Sequence, residues 1–293
     1  MNIFDMADEN SDSLRSRYDS LRTRFQSQSN LPILDEFTEL IKDSWTISVN
    51  VKQWDINSLL ISGRYENVRE VKRKDAERLQ KYREELEEYR KLELPLDKAL
   101  EGHLKNYHVS RLIFESEFED GEKFKYAALN IGGLGAQKYG LYCVVFKRKQ
   151  IKEYSTLVFA REDSLNKYVD YRHGVNVRQL AEDISNRECV HCMTALKHEG
   201  GIESTAVCDW PSMICCSQDY IEAITADDLP VAHIDSIRVS KKYFKPHFDL
   251  LYKHWLSEVS DDSEKYRLTV FKNMLELMDE NKIRIEVLSE NGN

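Results

Sequence analysis

The sequence predicts an α+β fold in which helices lie toward both ends of the chain and a sheet is built from its middle. Apolar residues recur at helical spacing in the N-terminal region and again after residue 245. Between them, four segments with two-residue alternation follow one another within about fifty residues, joined by short connections rich in turn residues. Such short connections predict an antiparallel or mixed sheet, because a parallel crossover needs a longer link.

Residues 1–30 are rich in Asp, Ser, Arg and Gln, and carry few apolar anchors. Four of these anchors follow a helical stripe: Leu14, Tyr18, Leu21 and Phe25. We expect a solvated start, then a helix that docks on the body of the protein or on a partner. Pro32 suits the first turn of a second helix, over about residues 33–43.

Thr46–Val51 alternates and is β-branched, which predicts a strand. Asp55 is expected to cap a short helix, Ile56–Ile61, that ends at Gly63. The pattern of residues 72–93 predicts a long helix. This helix either packs on its own domain or forms a coiled coil with a partner. Its apolar face consists of Leu79, Tyr82, Leu86, Tyr89 and Leu92.

The remaining pattern divides the chain into a mainly helical region, residues 1–106, and an α+β domain, residues 107–293. Strands are predicted at Val109–Glu115, Lys125–Ile131, Leu141–Lys147, Tyr154–Ala160, 219–224, Ser236–Ser240 and Lys282–Leu288. Helices are predicted at about 175–186, 246–256 and 263–280, and a cysteine-bearing loop at about 187–217.

Composition narrows the classes of function. The 293 residues are 41% hydrophobic and 32% charged, and no apolar run approaches the roughly 18 residues of a membrane span. The acidic start has no apolar stretch typical of a secretory signal, so we expect a cytoplasmic protein with reduced thiols. A net charge of −9 disfavours a protein that coats nucleic acid through a general positive field, but it allows a locally basic cleft.

The cysteines invite a zinc hypothesis. Cys189 and Cys192 form a Cys-x-x-Cys pair, but Cys215 and Cys216 are adjacent and do not form a second pair with the right spacing. A zinc-stabilised module for nucleic-acid processing, built on Cys189–Cys216, therefore stays an alternative. The glycines of Gly132–Gly135 lack the strand-turn-helix context of a nucleotide-binding loop, and we expect a hairpin turn there.

A set of short motifs is more informative when it is read in order. The motifs are Tyr126-Ala-Ala-Leu-Asn130, Gly135-Ala-Gln-Lys-Tyr-Gly140, Glu153-Tyr-Ser-Thr-Leu-Val-Phe159, Glu162-Asp-Ser-Leu165 and Tyr220-Ile-Glu-Ala223. Their order resembles that of bacterial ADP-ribosyltransferase-like toxin and effector domains, over roughly residues 107–245. The resemblance implies a split β-sheet core, here with N-terminal helical additions, and a cleft that binds NAD as a substrate.

The resemblance also implies roles for individual residues. Glu222 matches the catalytic glutamate, and Ser155 and Thr156 match the Ser/Thr strand. The first NAD-binding position is assigned to Arg111, with Lys123 as the other option. Cofactor contacts are further expected from Tyr126, Asn130 and Tyr139.

The chemistry agrees with these residue types. Breaking the bond between nicotinamide and ribose develops positive charge on the sugar, which a fixed carboxylate stabilises. A guanidinium binds pyrophosphate in a bidentate manner, and tyrosine rings stack on the heterocycles. Without the motifs, Glu222 reads as an ordinary outward-facing strand residue, and the tyrosines as core.

The resemblance leaves the acceptor open. Family members that modify arginine often carry Glu or Gln two residues before the catalytic Glu, where this chain has Tyr220. We expect a macromolecular acceptor, with nucleic acid (RNA) slightly favoured over protein, as for the RNA-modifying toxin of an anti-phage toxin–antitoxin–chaperone system. An antitoxin protein is then an expected partner. The alternative from another class is a non-enzymatic protein-binding module that uses the sheet and the long helix.

Overall fold

The computed structural model describes residues 1–85, 95–105, 107–259 and 261–289. The helices are α1 (Ile3–Glu9), α2 (Ser11–Ser27), α3 (Leu31–Ser44), α4 (Gln53–Ser62), α5 (Val68–Glu85), α6 (Leu96–Leu104), α7 (Tyr107–Glu117), α8 (Arg148–Ile151), α9 (Ser164–Lys167), α10 (Val177–Asp183), α11 (Val190–Ile202), α12 (Trp210–Ile214), α13 (Lys241–Trp255) and α14 (Asp262–Glu280). The strands are β1 (Thr46–Val51), β2 (Arg64–Tyr65), β3 (Lys125–Asn130), β4 (Tyr142–Phe146), β5 (Leu157–Ala160), β6 (Val169–Asp170), β7 (Gly174–Val175), β8 (Ile184–Asn186), β9 (Glu222–Thr225), β10 (Leu229–Pro230), β11 (Ile234–Ser240) and β12 (Arg284–Leu288).

A mixed sheet of eight strands organises the fold, in the order β12-β11-β4-β1-β3-β9-β5-β8. The pair β11–β12 is parallel, and the other neighbouring strands run antiparallel. The predicted α+β class and mixed sheet are therefore confirmed. The first fifty residues supply an inner strand, because β1 lies between β3 and β4.

The main hydrophobic core lies on one face of this sheet. Phe37 of α3 and Trp210 of α12 meet there edge to face, with ring centroids 5.0 Å apart. The apolar stripe of α2 (Leu14, Tyr18, Leu21 and Phe25) is buried in the same core. Of the two predicted alternatives, docking on the body of the protein or on a partner, the structure shows the first. Leu157, Phe159 and Ala223 are the strand residues that face it from β5 and β9.

A second, smaller core covers part of the opposite face. Because side chains alternate along a strand, Val158 and Ile224 point to this side. Phe114 of α7, Phe124 and Ile3 of α1 pack against them. Glu222 shares the face of Ile224, two residues away, so this second side of the sheet carries the candidate site.

Most predicted elements have counterparts in the structure. The strand predictions at Thr46–Val51, Lys125–Ile131, Leu141–Lys147, Ser236–Ser240 and Lys282–Leu288 are confirmed within a residue or two of their ends. The helix predictions at 33–43 and 263–280 are confirmed in the same way. The predicted helix 175–186 is shorter, because α10 comprises Val177–Asp183 and residues 184–186 form β8, whereas the predicted helix 246–256 begins five residues earlier, at Lys241. Of the predicted strand 219–224, the sheet includes only the part from Glu222. In the predicted helix 72–93, α5 ends at Glu85, and residues 86–94 lie outside the described residues.

The predicted strand Val109–Glu115 is wrong, because this segment lies within helix α7. Its mixture of apolar and polar residues fits two-residue alternation, but burial follows a four-residue period. Ser110, Phe114 and Phe118 are buried on one side of the segment. Arg111 and Glu115 form an i,i+4 ion pair of 2.6 Å, a spacing that belongs to a helix.

The predicted cysteine loop is also largely helical. Cys192, Met193 and Ala195 lie on α11 and are buried in the main core. The segment is held by apolar packing, which the spacing of its cysteines does not indicate.

Four smaller predictions need correction. The solvated start is helix α1, which buries Ile3, Met6 and Ala7. Asp55 lies inside α4, where its carboxylate accepts the Lys52 backbone N–H. Of Tyr154–Ala160, the strand comprises Leu157–Ala160. The connection around Gly132–Gly135 is not a hairpin, because β1 separates β3 from β4.

None of the helices in the described residues is long and apolar enough to cross a membrane.

The connection from β3 to β4 is pressed against the end of β1. Asn50 donates hydrogen bonds of 3.0 Å to the carbonyl groups of Leu134 and Gly140. A Cβ atom on Gly140 would lie 2.2 Å from the backbone carbonyl group of Val51. This close approach fixes a turn that includes Lys138 and Tyr139, which both belong to the candidate site.

We expect Gly140→Ala to destabilise the protein by about 1–3 kcal/mol or more, because the backbone of β1 cannot move aside cheaply. Gly102→Ala is the matched control, since a Cβ on Gly102 meets no atom within 4 Å in helix α6 and should stabilise the helix by about 0.5–1 kcal/mol. Urea unfolding of both variants measures the difference. Equal free energies of unfolding for the two variants would contradict the prediction.

Candidate functional site

Glu222 is the first residue of β9, an inner strand of the sheet. Its strand neighbours are Ala128 on β3 and Ala160 on β5. Two alanines beside it leave space above the carboxylate, yet the residue is only 4% exposed. A carboxylate buried in an inner strand is costly unless other groups compensate, so its surroundings define the site.

A cavity of about 520 Å³ opens over this part of the sheet. Its floor is formed by β1, β3 and β9, and its walls by α4–α7, β2 and the turn before β4. Among the predicted site residues, the cavity is lined by Arg111, Tyr126, Tyr139 and Glu222. Residues that the motifs did not assign also line it, including Tyr65, Asn67, His103, Asp163 and Tyr220.

The pKa of Glu222 is raised from 4.5 to about 8, mainly because burial disfavours the charged carboxylate. The neighbouring negative charge of Asp163 raises it further. Two groups oppose these effects: the backbone N–H of Ser164 donates a hydrogen bond of 2.9 Å to Oε2, and Arg111 contributes a positive charge. Glu222 is therefore poised to change its protonation state near neutral pH.

Asp163 is held by a cluster of polar groups beside Glu222. Its Oδ2 atom accepts hydrogen bonds from the hydroxyls of Tyr139 (2.8 Å) and Tyr220 (3.0 Å). Lys138 lies 3.3 Å from the same oxygen and about 5 Å from the centres of both tyrosine rings. The cluster fixes a second carboxylate at the edge of the cavity and orients two aromatic rings there.

Arg111 lines the cavity from helix α7. Its guanidinium lies 4.6 Å from the centre of the Tyr126 ring and binds Glu115 at 2.6 Å. Arg69 also binds Glu115, at 2.8 Å. Two arginines therefore share one buried carboxylate, and a guanidinium of this kind can bind an anion in a bidentate manner.

Asn130 does not line the cavity, contrary to its predicted cofactor contact. Its amide donates to Ser48 (3.0 Å) and to the carbonyl of Gly133 (3.1 Å). Its oxygen accepts from the backbone of Gly132 (2.8 Å) and from Arg238 (3.0 Å). Asn130 is buried and holds the turn between β3 and β4 in place.

Ser155 and Thr156 are not brought to Glu222 either. Ala160 is the residue of β5 opposite Glu222, so Thr156 lies about 13 Å away along the strand. Both hydroxyls bind Asp227, at 3.2 Å and 2.7 Å, and Thr156 also donates its backbone N–H to Asp227. Glu222, the carboxylate that these hydroxyls were expected to accompany, lies at the other end of β5.

The sequence contained a signal for some of the missed residues. Asp163 and Ser164 lie in the motif Glu162–Leu165, and Lys138 lies in the motif Gly135–Gly140, although none of them had been given a role. The lining residues of β2, α5 and α6 belong to no motif, because the chain brings them to the cavity only through tertiary packing. Lys123, the other option for Arg111, pairs with Asp120 at 2.8 Å and does not line the cavity.

The described residues contain no group of three or more His, Cys, Asp or Glu side chains that could hold a metal ion. Cys189 and Cys192 are buried thiols, and the nearest imidazole contact joins Cys192 to His191 at 3.3 Å. Burial raises the pKa of the Cys192 thiol to about 12, which disfavours the thiolate that zinc requires. The zinc alternative is therefore not supported in this part of the chain.

Comparison with known proteins adds no identification: no family model matches the chain, and a search of curated proteins finds no significant match.

The raised pKa of Glu222 predicts a pH-dependent stability. Its folded-state pKa of about 8 lies above the ordinary value of 4.5, so the folded state binds the proton more tightly than the unfolded chain. Stability is then lost as pH rises from about 4.5 to about 8, by at most ~1.4 kcal/mol per pH unit. Glu222→Gln removes this loss.

We therefore expect Glu222→Gln to be more stable than the wild type at pH 8, and the difference to shrink at pH 5. Urea unfolding of both proteins at the two pH values measures it. A difference that is the same at both pH values would show that Glu222 is ionised throughout.

Proposed function

We propose that this chain is an NAD-dependent mono-ADP-ribosyltransferase in which Glu222 is the catalytic carboxylate and the cavity above it binds NAD. The observation that carries the proposal is the polarity of the cavity. Its lining combines two neighbouring carboxylates, Glu222 and Asp163, with the guanidinium of Arg111, which Arg69 backs. Asp55, Arg64 and Glu66 line the cavity as well. NAD carries complementary charges, with a cationic nicotinamide riboside and an anionic pyrophosphate.

The size and lining of the cavity agree with this substrate class. Its volume of about 520 Å³ lies within the range typical of small-molecule sites. Tyr126, Tyr139 and Tyr220 present aromatic rings along it, and such rings stack on planar heterocycles. Arg111 already lies over the Tyr126 ring, so a pyrophosphate bound by its guanidinium would leave the adjoining base near an aromatic surface.

The reaction follows from the position of Glu222. When the C1′–N bond of the nicotinamide riboside breaks, its electron pair neutralises the pyridinium, and nicotinamide leaves as a neutral molecule. The ribose then carries an oxocarbenium-like charge, which the ionised Glu222 stabilises. A nucleophilic group of the acceptor bonds to C1′ and gives up its proton, for which Glu222 is the nearby base.

Substrate binding itself would favour the ionised form of Glu222. The carboxylate is held partly protonated by burial and by Asp163 in the free protein. A cationic nicotinamide beside it offsets both effects, because an opposite charge lowers the pKa of a carboxyl group. The Glu222 carboxyl group is thus most fully ionised when the cationic nicotinamide is bound.

The proposal departs from the resembled family at two positions. Arg111 comes from helix α7, where the family uses a strand, and Ser155 and Thr156 lie away from the glutamate. We therefore base the assignment of an ADP-ribosyltransferase-like core on the cavity around β3 and β9. Asp163 and Ser164, from the segment after β5, take the place beside Glu222 that the Ser/Thr strand was expected to fill.

We further propose a macromolecular acceptor, with RNA ahead of protein, and a toxin role in the cytoplasm in which an antitoxin protein is the natural partner. Tyr220 supports the order of acceptors. It stands where arginine-modifying relatives carry Glu or Gln, and its hydroxyl is engaged with Asp163. The group that would recognise an arginine acceptor is therefore missing from that position.

Glu222→Gln should lower the release of nicotinamide from NAD by about 10²–10³-fold, because the amide cannot stabilise the developing positive charge. NAD binding should persist, since Arg111 and the tyrosines are unchanged. Nicotinamide release with a cell extract as the source of acceptors, together with calorimetric NAD binding, measures the two effects. Expression toxicity relieved by the same substitution would be the corresponding result in cells.

Asp227→Asn is the matched control, because this carboxylate binds Ser155 and Thr156 at the other end of β5 and β9. It should keep nicotinamide release. If the wild type neither binds NAD nor releases nicotinamide with any extract, the proposal is wrong. If Asp227→Asn removes the activity and Glu222→Gln does not, the catalytic site lies at the Ser155–Thr156 end.

Asp163→Asn should shift the pH profile of nicotinamide release. Activity requires ionised Glu222, so the rate should rise with pH through the pKa of that group. Removing the negative charge of Asp163 lowers this pKa, and the rising limb should move to lower pH. Asn keeps an oxygen for the hydroxyls of Tyr139 and Tyr220. A rising limb that stays in place in the variant would exclude Asp163 as an electrostatic partner of Glu222.

A further inference from the structure

Helix α13 carries an exposed stripe that the core does not use. Lys241, Lys245, Phe248, Tyr252 and Trp255 follow at spacings of four, three, four and three residues, which place them on one face of the helix. Phe248 is 57% exposed, Tyr252 55% and Trp255 77%. We refer to these five residues as the α13 stripe.

Other residues of α13, on the opposite side and along one flank of the stripe, hold the helix on the protein. Leu250 is buried, and Phe244 and Leu251 pack against the main core. His247 stacks on Phe271 of α14 with ring centroids 4.8 Å apart. The rings of the stripe therefore add nothing to this packing, and their exposure calls for another reason.

The stripe is aromatic and basic within an acidic protein. Lys241–Trp255 contains four lysines and one carboxylate, whereas the whole chain has a net charge of −9. That carboxylate, Asp249, binds Lys245 at 2.6 Å on the surface, where an ion pair exchanges readily with another anion. A partner with negative charge is thus favoured at this helix and disfavoured by the rest of the surface.

The rings are arranged for stacking. Tyr252 and Trp255 have centroids 6.0 Å apart and ring planes inclined by 31°. The two lysines of the stripe lie at its N-terminal end and the three rings follow them. Lysines are depleted at the centre of protein interfaces, whereas positive charge combined with exposed aromatic rings is typical of surfaces that bind single-stranded nucleic acid. A helix that lies on a membrane separates its apolar and basic faces, but here both residue types share one face.

We propose that the α13 stripe binds single-stranded nucleic acid, with Phe248, Tyr252 and Trp255 stacking on bases and the lysines contacting phosphates. The stripe extends over about 21 Å of helix, which accommodates a few nucleotides. This proposal deepens and rests on the proposed function, because it supplies the surface that recruits an RNA acceptor to the transferase.

The test is binding of a short fluorescein-labelled single-stranded RNA of mixed sequence, measured by anisotropy without NAD, with DNA of the same sequence in parallel. Trp255→Leu and Tyr252→Leu should each weaken binding about tenfold, since base stacking is lost. Trp255→Phe is the matched control that keeps an aromatic face, and it should keep most of the affinity. Lys241→Ala should reduce the slope of log affinity against log salt by roughly 0.7 per phosphate contact.

Several outcomes would overturn the proposal. These are no saturable binding of either oligonucleotide, equal binding by wild type and both Leu variants, or equal losses in Trp255→Leu and Trp255→Phe. A dimer of the wild type that Trp255→Leu dissociates would assign the stripe to a second copy of the chain. Binding to phosphatidylserine vesicles but not to oligonucleotides would assign it to a membrane surface. All of the substituted residues are exposed, and unchanged melting temperatures check that the variants fold.

The result separates the two proposals. Oligonucleotide binding without nicotinamide release would support the proposed binding surface and contradict the proposed transferase activity. Nicotinamide release that depends on Glu222, without oligonucleotide binding, would support the proposed transferase activity and contradict the α13 stripe as its acceptor-binding surface. The ratio of the affinities for RNA and DNA in the binding assay shows which of the two oligonucleotides this helix prefers.

Discussion

The burial of the Glu222 carboxylate beside Asp163 is the constraint on which the site depends. Two neighbouring acidic groups, one of them buried, repel each other and disfavour ionisation, which would destabilise the fold without compensation. The structure compensates with the Ser164 backbone N–H, the hydroxyls of Tyr139 and Tyr220, and the ammonium group of Lys138. This arrangement costs stability in the free protein, and a cation bound beside the two carboxylates would relieve part of that cost.

The fold brings these compensating groups from distant parts of the chain. The antiparallel pairs β3–β9 and β9–β5 fix Glu222, while the segment after β5 brings Asp163 and Ser164 to it. The turn before β4 carries Lys138 and Tyr139 and is pressed on β1, where Gly140 allows the close approach. The position of the acidic end thus depends on β1, although that strand contributes none of its charged groups.

The sequence predicted the sheet well because strand alternation is a local property that burial on one face enforces. It predicted Glu222, Tyr126 and Tyr139 as neighbours because they lie in short motifs. Asn130, Ser155 and Thr156 have suitable chemistry, yet each binds a nearby polar group instead, and hydrogen-bond partners are decided by tertiary packing. Helix α7 was mistaken for a strand for the same reason, since only Phe114 and Phe118 packing on the second core selects the helical period.

Helix α7 also determines how Arg111 reaches the cavity. On a helix that forms the wall, its guanidinium is held by Glu115 and the Tyr126 ring, and it only moderates the pKa of Glu222. Arg111 is thus held by partners of its own rather than by Glu222, and both groups line the same cavity. The segment 109–115, which the sequence wrongly predicts as a strand, is therefore the helix that carries Arg111 to the cavity.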